Sequence, residues 1–326
     1  MPSTATSQPR LDDLEAAAEI VYQTLTPTPQ IRWPLLAKRM GCETWVKHEN
    51  HTPIGAFKIR GGLVYMNRLK QAEPGLEGVV SATTGNHGQS IAISAHRNGL
   101  HPVLVTPIGN SPDKNAAMRA HGAELIEHGA DFDEAHDLAL ELKDGRNLHY
   151  VPSFHPDLVA GVGTYSLEFL RAVPDLDTVY VPIGLGSGIC GMIAARNALG
   201  LKTTIVGVVS EGADCYAQSF EAREPVPTNA VNTFAGGLAV RNPDAGALEV
   251  ILGEVDRVVR VSDDGILAAM GWYFTDTHNV AEGAGACTLA ALAVEKDKMA
   301  GKKVGLVLSG GNIDAQIYVK ALETIR

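Results

Sequence analysis

The chain has 326 residues, of which 45% are hydrophobic and 20% are charged, a composition typical of a soluble globular protein long enough for two lobes. Its formal net charge of −10 argues against nucleic acid or an anionic membrane surface as a partner. No charged-then-apolar leader opens the sequence and no apolar run reaches membrane-spanning length, so we expect a cytoplasmic protein.

The four cysteines are scattered along the chain without a Cys-x-x-Cys pair. This spacing predicts neither a disulfide framework nor a zinc site, and we expect small buried thiols in a reducing compartment. The residues are Cys42, Cys190, Cys215 and Cys287.

The first predicted element is a helix, in which Asp12 and Glu15 form a capping-box-like start and apolar residues continue at helical spacing. The Thr-Pro-Thr-Pro segment at 26–29 must then be extended, because each proline disfavours helical backbone in the residue before it. A short strand at 44–46 leads through a Thr-Pro turn into a helix that has Lys58 in its first turn.

Beyond that helix, apolar strands alternate with helices. The predicted strands are 78–82, 101–106, 123–128, 148–151, 180–183, 203–209, 257–261 and 304–308. The predicted helices are 84–98, 112–121, 131–142, 188–199, 263–277, 285–298 and one from about 313, with a Pro/Asn/Gly-rich loop over 223–245. Continuous Val/Ile/Leu runs that alternate with helices predict a parallel sheet covered on both faces.

Lys58 is the first residue whose position points to chemistry. The positive end of a helix dipole disfavours an ammonium group in the first turn. Burial lowers the pKa of a lysine in the same direction, so Lys58 is placed to become the neutral amine that a Schiff base requires. From the pattern alone, a solvated lysine on an amphipathic helix is the alternative.

Two strand-to-helix turns are candidate anion sites. In Thr83-Thr84-Gly85-Asn86-His87-Gly88, the free N–H groups of a helix start could bind an anion, or a threonine could merely cap the helix. Gly184-Leu185-Gly186-Ser187-Gly188 has the glycine content that close backbone approach to a phosphate requires, although helix–strand packing also uses glycine. The second turn lacks the spacing and the following acidic residue of a dinucleotide site.

A longer segment carries a resemblance to a known family. Glu49-Asn50-x-Thr52-x-x-Gly55-Ala56-Phe57-Lys58-x-Arg60-Gly61-Gly62 resembles the lysine motif of fold-type II pyridoxal phosphate (PLP) enzymes, among which serine racemases and serine/threonine dehydratases are nearest. Those enzymes usually carry serine where this chain has Ala56. The resemblance extends from about residue 20 to the end, with the motifs in the family's order.

The resemblance implies an α/β fold of the tryptophan synthase β type, with two lobes that each contain a parallel-rich sheet flanked by helices. It implies a small domain over 76–152, inserted into a large PLP-binding domain formed by 1–75 and 153–326. Sequence pattern alone does not show that pairing of the chain ends.

The same resemblance implies roles for individual residues. Lys58 would carry PLP as a Schiff base, and Asn86 would bond to the phenolic oxygen of the cofactor. Ser309-Gly310-Gly311-Asn312 matches the family's Ser-Gly-Gly-Asn, whose serine hydroxyl meets the pyridine nitrogen. A neutral hydroxyl leaves that nitrogen unprotonated, which favours rapid β-elimination over a long-lived carbanion.

Two groups of site residues follow. The implied cofactor contacts are Phe57, Lys58, Asn86, Gly184, Leu185, Gly186, Ser187, Gly188, Glu282, Ser309 and Gly310. The implied substrate contacts are Thr83, Thr84, Gly85, Asn86, His87, His155 and Gly236, with Lys58 and Thr84 as the catalytic residues. The turn at 184–188 departs from the family's four consecutive glycines at Leu185 and Ser187.

Two of these positions have a structural alternative, and a separate pair of acidic residues is a candidate cation site. Glu282 could face the cofactor edge or lie at a helix N-cap, and His155 could touch the substrate side chain or lie on a surface loop. Glu211 and Asp214 are weak candidates for a cation site, since the acidic cluster of metal-activated relatives is one residue short here. We therefore expect no divalent cation.

The motifs predict a PLP-dependent ammonia-lyase. Lys58 removes the Cα proton of a 3-hydroxy amino acid such as L-threonine or L-serine, water leaves with the help of a proton from the cofactor phosphate, and a 2-oxo acid and ammonia are released. Alternatives are a racemase, a β-replacement synthase, a dehydratase of 3-hydroxyaspartate or phenylserine, and a non-catalytic PLP-binding protein, which intact Lys58, Asn86 and Ser309 argue against.

Racemisation needs a second proton donor opposite Lys58, and Thr84 lies at the matching family position. We expect its hydroxyl to bond to helix N–H groups instead, because the extra methyl restricts χ1. Elimination is therefore predicted as the main reaction. We also expect a homodimer.

Overall fold

A computed structural model describes residues 8–325 of the chain. Its strands are β1 (Gln30–Arg32), β2 (Glu43–His48), β3 (Gly78–Ala82), β4 (His101–Thr106), β5 (Glu124–Glu127), β6 (His149–Tyr150), β7 (Thr178–Pro182), β8 (Thr204–Ser210), β9 (Arg257–Val261) and β10 (Lys303–Leu308).

Helices cover these strands. They are α1 (Leu11–Val21), α2 (Pro34–Met40), α3 (Lys58–Ala72), α4 (Asn86–Arg97), α5 (Pro112–Ala120), α6 (Phe132–Gly145), α7 (Pro156–Ala172), α8 (Ser187–Ala198), α9 (Cys215–Ala222), α10 (Ala245–Glu254), α11 (Asp263–Thr277), α12 (Gly283–Val294) and α13 (Ala315–Glu323). Short 3₁₀ turns occupy Glu49–His51, Gly236–Leu238 and Lys296–Met299. Over residues 8–325, no helix has both the length and the apolarity needed to cross a bilayer.

The strands form two sheets. The larger has the order β1-β2-β10-β7-β8-β9 and is parallel except for the pairing of β1 with β2. The smaller has the order β5-β4-β3-β6 and is wholly parallel. All five residues of β3 and of β7 are buried, which explains why these strands are predominantly apolar and do not alternate between polar and apolar residues. The predicted α/β class with parallel-rich sheets is confirmed.

The two sheets draw on different parts of the chain. Every strand of the smaller sheet lies between Gly78 and Tyr150, whereas the larger sheet combines strands from before and after that span. The domain limits at 76 and 152 remain a prediction, because sheet membership does not fix where a lobe ends.

The start of the first helix differs from the prediction. The helix begins at Leu11, and the backbone N–H of Arg10 donates to the Asp13 carboxylate over 3.0 Å. This contact is one half of a capping box, and it lies at Arg10 and Asp13, two residues before the predicted pair of Asp12 and Glu15.

Four helices and one strand were not predicted: α2, α7, α9, α10 and β1. The 17-residue α7 is the largest of them, and its interior glycines lower its helix propensity. Those glycines serve close packing. A Cβ on Gly161 would lie 2.3 Å from the carbonyl oxygen of Arg60 on α3, and one on Gly191 of α8 would lie 2.9 Å from the backbone nitrogen of Gly163. Tertiary contact thus overrides local propensity here.

Four charged side chains join α3 and α7 to the larger sheet, three of them fully buried and the fourth, Glu168, 6% exposed. We call Lys47, Glu49, Arg60 and Glu168 the buried charge cluster. The Arg60 guanidinium donates to both oxygens of Glu49 over 2.8 and 3.0 Å and to both oxygens of Glu168 over 2.6 and 3.0 Å. The Lys47 ammonium forms a second ion pair with Glu168.

The cluster is electrically balanced, with two cations and two anions. The Thr28 hydroxyl donates to Glu49 over 2.5 Å, and the Lys47 ammonium donates to the Thr28 carbonyl over 2.7 Å. Burial by itself would raise the pKa of Glu168, but the charges and hydrogen bonds of Arg60 and Lys47 hold that pKa below its usual value. Removing one member would leave an uncompensated charge in the interior. This change lowers stability far more than replacing all four charged residues with apolar residues of similar volume.

We predict that Glu168→Gln lowers the free energy of unfolding by about 3–5 kcal/mol, because Arg60 and Lys47 would lose their shared anion while the shape of the side chain is kept. Urea unfolding followed by tryptophan fluorescence measures the loss. Glu127→Gln is the control, since it removes the partner of the exposed Arg119 (2.9 Å) and should change stability much less. If the two variants had the same free energy of unfolding, the proposed stabilisation of the fold by the buried charge cluster would be wrong.

Candidate active site

Helix α3 begins at Lys58, as predicted, and hydrogen bonds from two parts of the chain fix the turn before it. The Thr52 hydroxyl accepts from the N–H of Ala56 over 2.9 Å and donates to the carbonyl of the same residue over 2.8 Å. The N–H of Phe57 donates to the carbonyl of Ser309 at the end of β10 over 3.0 Å. The lysine turn is therefore fixed to the central strand of the larger sheet.

The Lys58 amine lies 4.9 Å from the centroid of the Phe57 ring. Burial lowers the pKa of Lys58 to about 8, and the charge of Glu282 opposes that shift. Within residues 8–325 the amine makes no hydrogen bond or ion pair. A substantial neutral fraction near pH 8 is what a nucleophilic lysine requires.

The turn between β3 and α4 has a defined cap. The Thr83 hydroxyl accepts from the N–H groups of Gly85 (3.3 Å) and Gly88 (2.9 Å). Thr84 is exposed, and its hydroxyl has no hydrogen-bond partner in the described part of the chain. The expectation that Thr84 bonds to the helix start is therefore wrong, because its neighbour occupies that role.

Asn86 joins three segments of the chain. Its amide nitrogen donates to both carboxylate oxygens of Glu282 over 2.8 and 3.1 Å, and its amide oxygen accepts from Asn312 over 2.7 Å. Glu282 precedes α12 but makes no side-chain cap there, so its carboxylate faces Asn86. Burial raises the pKa of Glu282, while the Asn86 hydrogen bond and the charges of Lys114 and Lys58 act against the rise.

His87 contributes an unpaired ring nitrogen. Its Nε2 atom is buried without a hydrogen-bond partner among residues 8–325. Burial lowers the pKa of His87 to about 3, and the charge of Lys58 acts in the same direction, so the ring is neutral at ordinary pH. A buried polar atom of this kind is normally satisfied in proteins, so a bound group is its natural partner.

The glycines of the 184–188 turn are required by space and backbone shape. A Cβ on Gly184 would lie 2.4 Å from the Gly237 carbonyl oxygen, and one on Gly186 would lie 2.5 Å from the Ala247 Cβ. Gly186 also has φ of +104°, which a side chain would strain. These contacts show that Gly184 and Gly186 are needed for packing of the turn against residues 237 and 247, and phosphate binding by the turn remains a prediction.

Leu185 and Ser187, which replace two of the family's four consecutive glycines, both fit into this turn. The Tyr216 hydroxyl donates to the carbonyl of Leu185 over 3.0 Å and accepts from the N–H of Asp244 over 3.0 Å. Helix α8 starts at Ser187, which is buried. The N–H groups of a first helical turn have no partner within the helix, so with the Ser187 hydroxyl they fit a phosphate dianion.

Ser309 and Gly310 lie between the lysine turn and Glu282. Gly310 forms a bridge with Ala56, and its carbonyl accepts from the Glu282 N–H over 3.0 Å. A Cβ on Gly310 would lie 2.5 Å from the Glu282 carboxylate. A side chain at this position would displace the Glu282 carboxylate, and Ser309, 2% exposed, is the neighbouring hydroxyl.

Gly236 and His155, the remaining predicted substrate contacts, lie in different surroundings. Gly236 is exposed, and a Cβ at this position would meet no other atom. Its loop is fixed by a hydrogen bond from the Thr233 hydroxyl to the Asp263 carboxylate over 2.6 Å. His155 caps α7, because its Nδ1 atom accepts from the N–H of Asp157 over 3.1 Å, and its ring centroid lies 5.0 Å from that of Tyr65. Contact of either residue with a substrate remains a prediction.

The weak cation candidates do not come together. Both Asp214 oxygens are engaged, one by Arg260 over 2.8 Å and the other by Gln218 over 2.6 Å. Glu211 is exposed, and no cluster of three or more acidic, histidine or cysteine ligands occurs over residues 8–325. Independence from divalent cations remains a prediction.

Two residues of the site were not predicted. Asn312 belongs to the Ser309-Gly310-Gly311-Asn312 motif, from which its hydrogen bond to Asn86 could have been expected. Lys114 lies in a segment predicted only as a helix, and its side chain runs along Gly85, with Cδ 3.1 Å from the point where a Cβ would stand. No sequence signal marks Lys114, since its proximity arises from the fold.

These observations agree with the chain's relatives. The family model "Pyridoxal-phosphate dependent enzyme" matches residues 21–310. The biosynthetic L-threonine dehydratase of Haemophilus influenzae is 34% identical over 90% of this chain and 58% of its own length. The L-threo-3-hydroxyaspartate ammonia-lyase of Saccharomyces cerevisiae is 30% identical over 95% of each chain.

A solved structure gives the same result. The processed form of threonine deaminase isoform 2 from Solanum lycopersicum superposes with a TM-score of 0.91 and 30% identity, covering 99% of this chain and 94% of that one. This chain spans 58% of the length of the bacterial dehydratase. It belongs to the pyridoxal-phosphate dependent enzyme family, with the fold-type II architecture and the cofactor of that family.

Proposed function

We propose that this protein is an ammonia-lyase that eliminates water from a 3-hydroxy amino acid, L-threonine or L-serine, and releases a 2-oxo acid and ammonia. The carrying observation is Lys58, an amine whose pKa is lowered to about 8 by burial. Its charge acts on His87 of the Thr83–His87 turn, and the ring of the adjacent Phe57 lies 3.7 Å from the point where a Cβ on Gly188, in the first turn of α8, would stand. The threonine and 3-hydroxyaspartate substrates in the names of similar proteins support the class of substrate.

The cofactor, when bound, supplies the electron sink that acidifies the Cα proton. In its neutral form, the Lys58 amine accepts that proton. The backbone N–H groups of the Thr83–His87 turn would bind the substrate carboxylate, and the start of α8 with Ser187 would hold the cofactor phosphate. Ser309 offers a neutral hydroxyl to the cofactor ring, which suits elimination.

The test is a coupled assay for 2-oxo acid and ammonia. We expect equal amounts of both products from at least one of serine, threonine, 3-hydroxyaspartate and phenylserine, each assayed as both enantiomers. Lys58→Met is the control and should lower the rate by about 10²–10⁴-fold, because general base catalysis typically contributes that much. A protein that binds PLP but forms no 2-oxo acid from any of the four would be a non-catalytic binder, contrary to the proposal.

A racemase is the second candidate, and the free Thr84 hydroxyl supports it. Inversion at Cα needs a proton donor on the face opposite the base. Since Thr83 caps the helix, Thr84 is available for that role.

Thr84→Ala should abolish D-serine formation from L-serine while pyruvate release stays within about tenfold, roughly 1.4 kcal/mol of barrier. Chiral chromatography and the pyruvate assay measure the two products. Thr84→Ser keeps the hydroxyl and should retain both activities. If the wild-type protein forms D-serine faster than pyruvate, racemisation is its main reaction and our first choice is wrong.

The quaternary structure and the compartment are further parts of the proposal. The resemblance to fold-type II enzymes supports a homodimer, and the sequence composition supports a cytoplasmic location. A homodimer would elute from a calibrated sizing column with twice the mass of the chain.

A further inference from the structure

The backbone N–H groups at the start of α8 are free donors. Within residues 8–325, the N–H groups of residues 184–189 all lack an acceptor, and the next paired N–H along the chain is that of Cys190, which donates to the Gly186 carbonyl over 3.0 Å. Residues 186–189 are buried. A helix start leaves only its first four N–H groups unpaired, and buried N–H groups normally have partners. The turn is therefore an array of donors that a bound anion would satisfy.

The hydroxyl of Tyr216, on α9, is oriented by its two partners. Tyr216 is 1% exposed, and its oxygen accepts from the N–H of Asp244 over 3.0 Å. The carbonyl of Leu185, also 3.0 Å away, can only accept, so the hydroxyl proton must point to it. Burial raises the pKa of Tyr216, so that proton is retained at ordinary pH. One buried oxygen therefore connects the turn to α9 and to the start of α10.

This hydrogen bond determines which way a peptide group of the turn faces. The peptide bonds of residues 8–325 are all trans, and in a trans peptide the C=O and the N–H point in opposite directions. Because the Leu185 carbonyl is directed at Tyr216, the N–H of Gly186 points away from Tyr216. Without the hydroxyl, the Leu185 carbonyl could accept from the N–H of Ile189, four residues later, as it would in a longer helix. That rearrangement would occupy one free donor and turn another.

We propose that Tyr216 is a positioning residue for the cofactor phosphate: its hydroxyl holds the Leu185 carbonyl and thereby keeps the N–H groups of the turn available to the phosphate oxygens. Both partners of the hydroxyl are backbone groups, so Tyr216 acts on the phosphate through the turn. The inference rests on the proposed function, in which this turn and Ser187 hold the phosphate.

PLP and pyridoxal test the proposal, because both can form a Schiff base with Lys58 but only PLP carries the phosphate. Each is titrated into the full-length protein after its cofactor has been removed, and the absorbance of the Schiff base gives the Kd. The wild-type protein should bind PLP more tightly than pyridoxal. We expect Tyr216→Phe to raise the Kd of PLP by about tenfold or more and to change the Kd of pyridoxal by less than about twofold, because the unpaired carbonyl disturbs only the phosphate contacts.

Two further variants show whether the loss arises in the turn. Tyr180→Phe removes a buried hydroxyl from β7, the strand before the turn, where it donates to Glu295 over 2.7 Å. It should lower stability about as much as Tyr216→Phe but leave both Kd values unchanged. Gly186→Ala would place a Cβ 2.5 Å from that of Ala247 and 3.5 Å from the Tyr216 hydroxyl. This variant should weaken the binding of PLP but not of pyridoxal.

Equal wild-type affinities for PLP and pyridoxal, or no binding of PLP, would overturn the inference. An unchanged PLP affinity in Tyr216→Phe or Gly186→Ala would overturn it too. The same holds for an equal loss of both ligands in Tyr216→Phe, or for failure of that variant to fold, because the hydroxyl would then support the whole fold. A selective loss of PLP, with no 2-oxo acid formed from any hydroxy amino acid, would instead contradict the proposed elimination and support the role of Tyr216.

Discussion

The buried contact between Arg60 and the carboxylates of Glu49 and Glu168 is the constraint on which the site depends. Arg60 lies two residues after Lys58 on α3, and Glu49 begins the turn that leads to it. Because four charges must balance one another without water, the start of α3 cannot shift without separating buried ion pairs. Gly161 adds a steric limit, since it brings α7 against the backbone of the same turn.

Around that fixed lysine the rest of the site is assembled by polar contacts between distant segments. Asn86 bonds to Glu282 and Asn312, and Ser111 bonds to Asp314. These contacts connect helices beside the smaller sheet to loops beside the larger one. A neutral His87 ring and a lysine with a lowered pKa follow from the same exclusion of water, since burial disfavours the charged form of both groups.

The sequence predicted those helices and strands whose formation depends mainly on residues close to them in the chain. The strand at 78–82 and the helix at 263–277 have the predicted bounds, because a mostly apolar strand and a helix that follows a serine cap are determined by nearby residues. Helix α7 was missed, because the close packing that requires Gly161 is a tertiary effect. Whether Thr83 or Thr84 caps α4 depends on side-chain direction, and the position of Lys114 depends on how α5 lies across Gly85. Neither can be obtained from spacing.

We propose that Lys58, and no other amine, carries the cofactor. The direct measurement is borohydride reduction of the PLP-loaded protein, followed by peptide mapping. We expect a yellow protein before reduction and a single phosphopyridoxyl group on Lys58 afterwards. A label on Lys114 or another lysine, or no visible absorbance after PLP is added, would contradict it.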